Sequence, residues 1–425
     1  MTASSAAATR PVLRECHGCG LLQTVPPLNV GETARCGRCG STLRRARTAT
    51  LDRSLALTGA ALILLTVLST NVLMRVSAAG TTLRVGLFGG PQELVDRGMP
   101  ELAIAVAFTV FFAPLWVLLC RFYVLLRLRE RPPPEHLRDV FRLAERMRPW
   151  SMLEVFLFGV FVAYTKLAGL VTIGLGPGVY ALGALTFVLI WAEDTLDRSA
   201  VWDALDAEDE ARADGRSWTA QGVSGCETCG LVSRVFSHEK AHCRRCHAPL
   251  HPRKPSSISR TWALVIASAI LYVPANTYPV LTVMQLGAGQ PSTILGGVEE
   301  LYASRMYPLA ALVFCASVAV PLLKLVGLSV LLTATQTGRM QWLRDSTRLY
   351  RVICVIGRWS MIDIFMESLL GALVKFGKVI TIEPGVGAVS FCAVVLLTIL
   401  AAEGFDPRMM WDAAGRNAVS AVRAG

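Results

Sequence analysis

The plan of the chain is set by its apolar stretches and the charges that interrupt them. Between Arg53 and Arg75 lie 21 residues without a charge, between Glu101 and Arg121 19, between Arg260 and Glu299 38, and between Glu383 and Glu403 19. Lys166 and Glu193 bracket 26 more, divided by the breaker run Gly174-Leu175-Gly176-Pro177-Gly178. A helix that crosses a bilayer needs about 20 apolar residues. Two further apolar segments are broken only by isolated charges, around Lys324 and around Glu367. The pattern predicts eight spans, near 55–74, 102–125, 152–170, 178–194, 262–283, 308–333, 359–378 and 386–402.

Composition agrees with that reading. Hydrophobic residues make up 53 % and charged residues 17 % of the 425, and the mean hydropathy is +0.48. Soluble domains carry about 25 % charge, so an ordinary soluble enzyme, a disordered chain and a coiled coil are excluded. The formal charge of +11 has a topological explanation. With the N-terminus inside, the inside segments hold 34 of the Lys and Arg residues and the outside segments 5. Positive residues accumulate on the cytoplasmic side of spans, so both termini are expected in the cytoplasm and no nucleic-acid partner is needed. The first fifty residues are polar and contain four cysteines; no apolar signal segment is expected before the first span.

The two halves repeat. Gly89-Gly90-x-x-Glu93-Leu94-x-x-x-x-Met99 returns as Gly296-Gly297-x-x-Glu300-Leu301-x-x-x-x-Met306, and Pro114 returns as Pro321, at a shift of 207. Trp150-Ser151-Met152-x-Glu154 returns as Trp359-Ser360-Met361-x-Asp363 at a shift of 209, as do Lys166/Lys375, Thr172-Ile173/Thr381-Ile382, Gly176/Gly385, Asp197/Asp406 and Trp202-Asp203/Trp411-Asp412. Chance does not hold one offset over so many uncommon residues. Four spans per half is an even number, so the halves enter the membrane in the same orientation, a parallel repeat.

Eight of the twelve cysteines form Cys16-x-x-Cys19…Cys36-x-x-Cys39 and Cys226-x-x-Cys229…Cys243-x-x-Cys246. Paired C-x-x-C knuckles at this spacing are a zinc-ribbon pattern. Each knuckle turns tightly enough to aim two thiolates at one metal, and two knuckles complete a tetrahedral site. Two structural Zn²⁺ ions are expected, with iron the rival metal and disulfide exchange the rival role. His17, His242 and His247 flank the knuckles as weaker candidates. Cys120, Cys315, Cys354 and Cys392 have no such spacing and read as apolar filler.

The expected fold is thus an all-α integral membrane protein: eight helices in two tandem four-helix bundles, each preceded by a small cytoplasmic zinc ribbon. The boundaries are ribbon 1 at 1–50, bundle 1 at 51–202, a linker at 203–220, ribbon 2 at 221–255, bundle 2 at 256–412 and a tail at 413–425.

Two four-cysteine ribbons, each before four spans with a W-S-M-x-[DE]-[VI]-F start to the third, resemble the paraquat-inducible protein A family. The likeness runs from Cys16 to about Trp411. It is specific in Cys36-Gly37-Arg38-Cys39-Gly40 and in Ala275-Asn276-Thr277-Tyr278-Pro279. The resemblance implies an inner-membrane protein of Gram-negative bacteria that works beside a periplasm-spanning tube of MCE (mammalian cell entry) domains. It implies movement of phospholipids between inner and outer membranes, and separate, tetraspanin-like bundles.

Charges within the spans are the remaining candidates. Lys324 aligns with Val117 and Glu367 with Phe158, so both charges belong to the second half alone. By helix rise they lie about 14 Å and about 12 Å from one membrane face, which suggests a pair. Thr398 and Ser368 are hydroxyls that could join it. Unpaired mid-membrane charges are costly, and such residues are functional candidates by default. The pair reads either as a proton-responsive switch or as a static lock between helices. The family resemblance favours Lys324, because a basic residue tends to follow that proline. Asp363 and its counterpart Glu154 lie at helix starts. Lys166 and Lys375 lie near outer ends, where lysines snorkel. Pro114 and Pro321 predict kinks. No Ser/His/Asp set, P-loop or HExxH motif is present, so no catalytic residue is expected. The function expected is loading or withdrawal of phospholipid at an MCE tube; a passive anchor for that tube and a thiol-based stress sensor are the alternatives.

Overall fold

The computed structural model describes residues 12–47, 51–78, 81–130, 133–168, 172–205, 223–234, 241–285, 288–338, 342–373 and 380–423. Ribbon 1 is two hairpins, β1 (Val12–Glu15) with β2 (Leu22–Val25) and β3 (Thr33–Arg35) with β4 (Thr42–Arg45). In the first half, α1 (Leu51–Thr70) leads to β5 (Val72–Ala78), β6 (Thr81–Gly86) and the short α2 (Gly89–Asp96). The helices α3 (Pro100–Ala107) and α4 (Ala113–Arg127) continue one another through a π-helical turn. They are followed by α5 (His136–Met147), a 3-10 turn, α6 (Leu153–Leu167), β7 (Thr172–Leu175), α7 (Pro177–Thr195) and α8 (Arg198–Leu205). Ribbon 2 contains β8 (Val223–Gly225) and β9 (Val232–Arg234).

The second half repeats this order. It comprises α9 (Ser257–Thr277), β10 (Leu281–Gln285), β11 (Ala288–Ser292), α10 (Ile294–Ala303), α11 (Tyr307–Phe314), α12 (Val320–Thr337), α13 (Leu343–Ile356), α14 (Ile362–Leu373), β12 (Ile380–Pro384), α15 (Val386–Gly404) and α16 (Arg408–Arg423). The fold is therefore mostly helical but not all-α. At the end of α1 and α9 away from the ribbons, each half carries a three-stranded antiparallel sheet, ordered β6-β5-β7 and β11-β10-β12. Strand β6 lies in the run Thr81-Thr82-Leu83-Arg84-Val85, rich in the β-branched residues that favour strands.

The expected kinks take a definite form. π-helical turns occupy Phe108–Phe112 and Cys315–Ala319, just before Pro114 and Pro321 and again 207 residues apart. Proline lacks the N–H that an α-helix uses, and a wider turn accommodates the lost bond.

Among the described residues six helical segments are long and apolar enough to cross a membrane, and a seventh is added if α7 and α8, bent by 59°, count as one span. The segment expected at 359–378 is different. It starts as a 3-10 turn, Gly357–Met361, and its described helix α14 has 12 residues, or about 18 Å of length. Every side chain of α14 is buried. Most of the expected linker, 206–220, lies outside the described residues.

Nor do the halves form two self-contained bundles. Helix α14 packs on α6 and α2 of the first half. The equivalent residues Phe156 and Phe365 meet edge to face, with ring centroids 5.6 Å apart. The backbones come close at Gly159, where a Cβ would lie 2.9 Å from Cβ of Phe365. One core runs through both halves.

The ribbons dock crosswise. Arg351 of α13, in the second half, donates to the Cys39 carbonyl of ribbon 1 at 2.9 Å. Its counterpart Arg142 of α5, in the first half, donates to the Cys246 carbonyl of ribbon 2 at 2.9 Å. Trp411 packs in the cluster of ribbon 1 and Trp202 in that of ribbon 2. The ribbons also touch each other: Arg14 donates to the Cys229 carbonyl at 3.1 Å, and Glu15 accepts from Gly225 N–H. The cysteine knuckles of each ribbon thus dock on the half that does not follow it in sequence, while other residues of the ribbon pair with the half that does, as Arg44 does with Asp203 and Arg253 with Asp412.

Gly159→Val should force α6 and α14 apart, an overpacking cost of about 1–3 kcal/mol. A drop in thermal unfolding temperature in detergent checks this, against Gly183→Ala as the control, where a Cβ meets nothing within 4 Å. Equal stability of the two variants would contradict the close crossing.

Candidate metal centres and a buried polar cluster

The knuckles of each ribbon present two cysteines from the turn after a short strand. Cys16, Cys19, Cys36 and Cys39 converge, as do Cys226, Cys229, Cys243 and Cys246, with the sulfurs of each set within 4.8 Å of one another. All eight are buried. The closest sulfurs are 3.4 Å (Cys16–Cys39, Cys226–Cys246) and 3.5 Å (Cys19–Cys36, Cys229–Cys243) apart. Tetrahedral Zn–S bonds of about 2.3 Å place sulfurs roughly 3.8 Å apart, so the donor set fits one metal ion in each ribbon. The proton balance agrees. Hydrogen bonding from Cys19 pulls the Cys16 thiol down to about 4, while the same contact raises Cys19. Four thiolates at this spacing need a cation to coexist. The glycines after the second cysteine of three knuckles, Gly20, Gly40 and Gly230, have φ of 72°, a conformation in which glycine carries no Cβ penalty.

The intramembrane candidates separate into two places instead of one network. Lys324, 1 % exposed, donates to Thr398 Oγ1 at 3.1 Å. Thr398 in turn donates to the Val395 carbonyl. Among the described residues no carboxylate lies within 4 Å of the ammonium, so the expected Lys324–Glu367 pair does not form. The reason is depth: Lys324 Nζ lies beside Gly357, 3.7 Å from where a Cβ would sit there. Glu367 is ten residues further on, about 15 Å by helix rise.

Glu367 instead lines a cavity of ≈ 50 Å³ with Asp363, Ser317, Thr293 and Lys166. Lys166 comes from α6 in the first half, so the cluster is built by both halves. Ser317 donates to Asp363 Oδ2, and Asp363 Oδ1 has no partner among the described residues. Ser368 faces α2, and a Cβ on Gly90 would meet its Oγ at 2.2 Å. Lys375 lies outside the described residues. Sequence reasoning missed Ser317, although its counterpart is Val110 and its hydroxyl belongs, like Lys324, to one half only.

The cavity comes from a departure from the repeat. In the first half α2 closes tightly on α14 at Gly90. In the second, Gly297 lines the cavity, and a Cβ there would meet nothing nearer than 3.8 Å. The space between α10 and α6 is what holds the acids and the lysine.

Elemental analysis of the purified protein should find two equivalents of metal per chain. Cys36→Ser with Cys39→Ser should lower this to one; retention of two would contradict four-cysteine coordination in ribbon 1.

Comparisons with known proteins follow the same duplication. The family model described as Paraquat-inducible protein A matches twice, over residues 51–206 and 258–415. The chain is 33 % identical to the intermembrane transport protein PqiA of Escherichia coli (strain K12) over 402 residues, covering 93 % of this chain and 95 % of that protein. It is 30 % identical over 400 residues to the lipophilic envelope-spanning tunnel protein A of the same strain, covering 94 % and 91 %. A probable intermembrane transport protein of Haemophilus influenzae is 26 % identical over 408 residues, covering 93 % and 95 %. No solved structure matches. Two family matches in tandem, together with these relatives over nearly the full length, place the chain in the paraquat-inducible protein A family.

Proposed function

We propose that this chain is the inner-membrane component of a system that moves phospholipid between the two membranes of a Gram-negative envelope. It stands at the base of a periplasmic, tube-forming MCE-domain protein and loads or withdraws lipid there. The ribbons and both termini face the cytoplasm, in keeping with the 34:5 division of basic residues, and each ribbon holds one structural Zn²⁺. Relatives named as intermembrane transport proteins support transport as the task. The burial of all eight ribbon sulfurs favours closed structural sites over a thiol sensor, which needs accessible thiolates.

The observation that carries a transport reading over a passive anchor is the cluster of Asp363, Glu367, Ser317 and Lys166. An anchor has no need of two acids inside a spanning core, where ionisable groups are expensive. Because Lys166 belongs to one half and the acids to the other, proton uptake by an acid would weaken the attraction across the contact. That gives the halves two arrangements and couples lipid movement to protons. Lys324 and Thr398 form a second polar contact within the same half.

In a strain lacking the native protein, Asp363→Asn and Lys324→Met are each expected to lose barrier function against detergent. Protein levels and recovery of the periplasmic partner should stay normal. Full barrier function in both variants would leave the anchor as the function.

A further inference from the structure

Lys324 opens onto a second, larger space at the ribbon end of the molecule, a cavity of ≈ 240 Å³. Its walls include Thr398, Cys354, Gly357, Ala402 and Arg358 from the second half and Arg148 from the first. The repeat shows how this space arose. At a shift of 209, Cys354, Gly357 and Ala402 are the counterparts of Glu145, Arg148 and Glu193. In the first half those three residues fill the equivalent position with ion pairs. Arg121 contacts Glu193 and, at 3.2 Å, Glu145; Arg148 contacts Glu193 at 3.2 Å. Arg121 aligns with Leu328, one turn from Lys324 along the same helix. Both halves therefore bury a cation from the same helix face at this level. Only the first half supplies the carboxylates that neutralise it.

The second half has lost both acids and one long side chain, and a cavity stands in their place. Lys324 is left with a neutral hydroxyl as its hydrogen-bond partner. An ammonium buried without a counter-charge is strongly disfavoured. Arg358, half-buried on the wall, forms no ion pair within 4 Å among the described residues. Arg148 also reaches the wall but is already paired with Glu193 and Glu145 of the first half, so the cations without a paired carboxylate are Lys324 and Arg358, against one acid on the wall, exposed Glu403.

We propose that this cavity is an anion site that takes a phosphate group, which replaces the two carboxylates missing from the second half. Lys324 and Thr398 form its floor, and Arg358 and Arg148 its rim. The Lys324 ammonium and the Arg358 guanidinium, with Arg148 at the edge, suit a tetrahedral, multiply charged oxyanion better than a single carboxylate. The volume lies below the roughly 300–1,000 Å³ of drug-sized ligand sites, so it admits a phosphate with a small substituent, such as a lipid headgroup, while acyl chains stay outside. The same chemistry would accept free phosphate. Because Arg148 belongs to the first half, occupancy would join the two halves at the ribbon end. The site does not depend on the transport reading; it would stand if the chain were only an anchor.

The test uses the purified full-length protein in detergent, with inorganic phosphate, dihexanoyl phosphatidic acid and dihexanoylglycerol as probes. Binding is read by thermal shift and by mass-spectrometric mapping of alkylation at Cys354, with Cys120 as the internal reference. Phosphatidic acid should raise the unfolding temperature and slow alkylation of Cys354 relative to Cys120, and dihexanoylglycerol should do neither. Arg358→Gln should weaken that binding at least tenfold and Arg358→Lys much less. An equal response to inorganic phosphate would support the site with a soluble source, and a response to the lipid alone would support it with a headgroup source. Absence of any response to both phosphates, or a response that Arg358→Gln leaves unchanged, would overturn the proposal. Should Arg358→Gln fail to fold, protection of Cys354 in the unmodified chain decides the question.

Discussion

The enclosure of α14 is the constraint on which the rest of the structure depends. A helix carrying Asp363 and Glu367 cannot present them to lipid, and all twelve of its residues are buried. Packing on α2 and α6 of the first half provides that cover. The close approach at Gly159 and the Phe156–Phe365 contact make it tight. A bundle of four second-half helices alone would leave one face of α14 to the bilayer. Joining the halves is therefore a condition for the charges, and the crosswise docking of the ribbons holds the same union together at one end.

Within that union the two copies have diverged in opposite senses. In the first half the two corresponding positions are filled: Gly90 lets α2 seat on α14, and Arg121, Glu145, Glu193, Arg148 and Arg198 pair with one another. The second half is hollowed at both ends of its core. Small side chains at Cys354, Gly357 and Ala402 replace the ion pairs, and α10 leaves space beside Lys166. A duplicated scaffold thus provides one copy in which these two positions are filled and one copy with room for polar chemistry there. Symmetry between the copies would have forced either two sets of buried charges or none.

Much of this was legible in the chain. The constant offset of 207 to 209 gave the repeat, the C-x-x-C spacing gave both metal-binding clusters, and Pro114 and Pro321 marked the π-helical turns. The sheets were harder to see, since strands of four to seven residues lie in connections too short for a clear alternation. The crosswise ribbons were not legible at all: Arg142 and Arg351 look like any basic residue of an amphipathic helix, and nothing local says which half a ribbon meets. The Lys324–Glu367 pair does not form because the seventh segment begins as a 3-10 turn that runs to Met361, with Lys324 level with its start and Glu367 further along α14. The residues present in one half only, among them Ser317, Lys324, Glu367 and Thr398, line the two cavities.

The union of the halves can be tested directly at Phe158 and Trp359, whose rings meet across the contact at a tilt of 55° with centroids 4.9 Å apart and lie partly exposed. Cysteines replace both residues in a chain that lacks Cys120, Cys315, Cys354 and Cys392. A protease site is placed within 206–220, and membranes are treated with a short bismaleimide before cleavage. The account predicts that the cleaved halves stay joined at full-length mass on a denaturing gel. Free halves after complete cysteine modification would contradict it and restore two independent bundles.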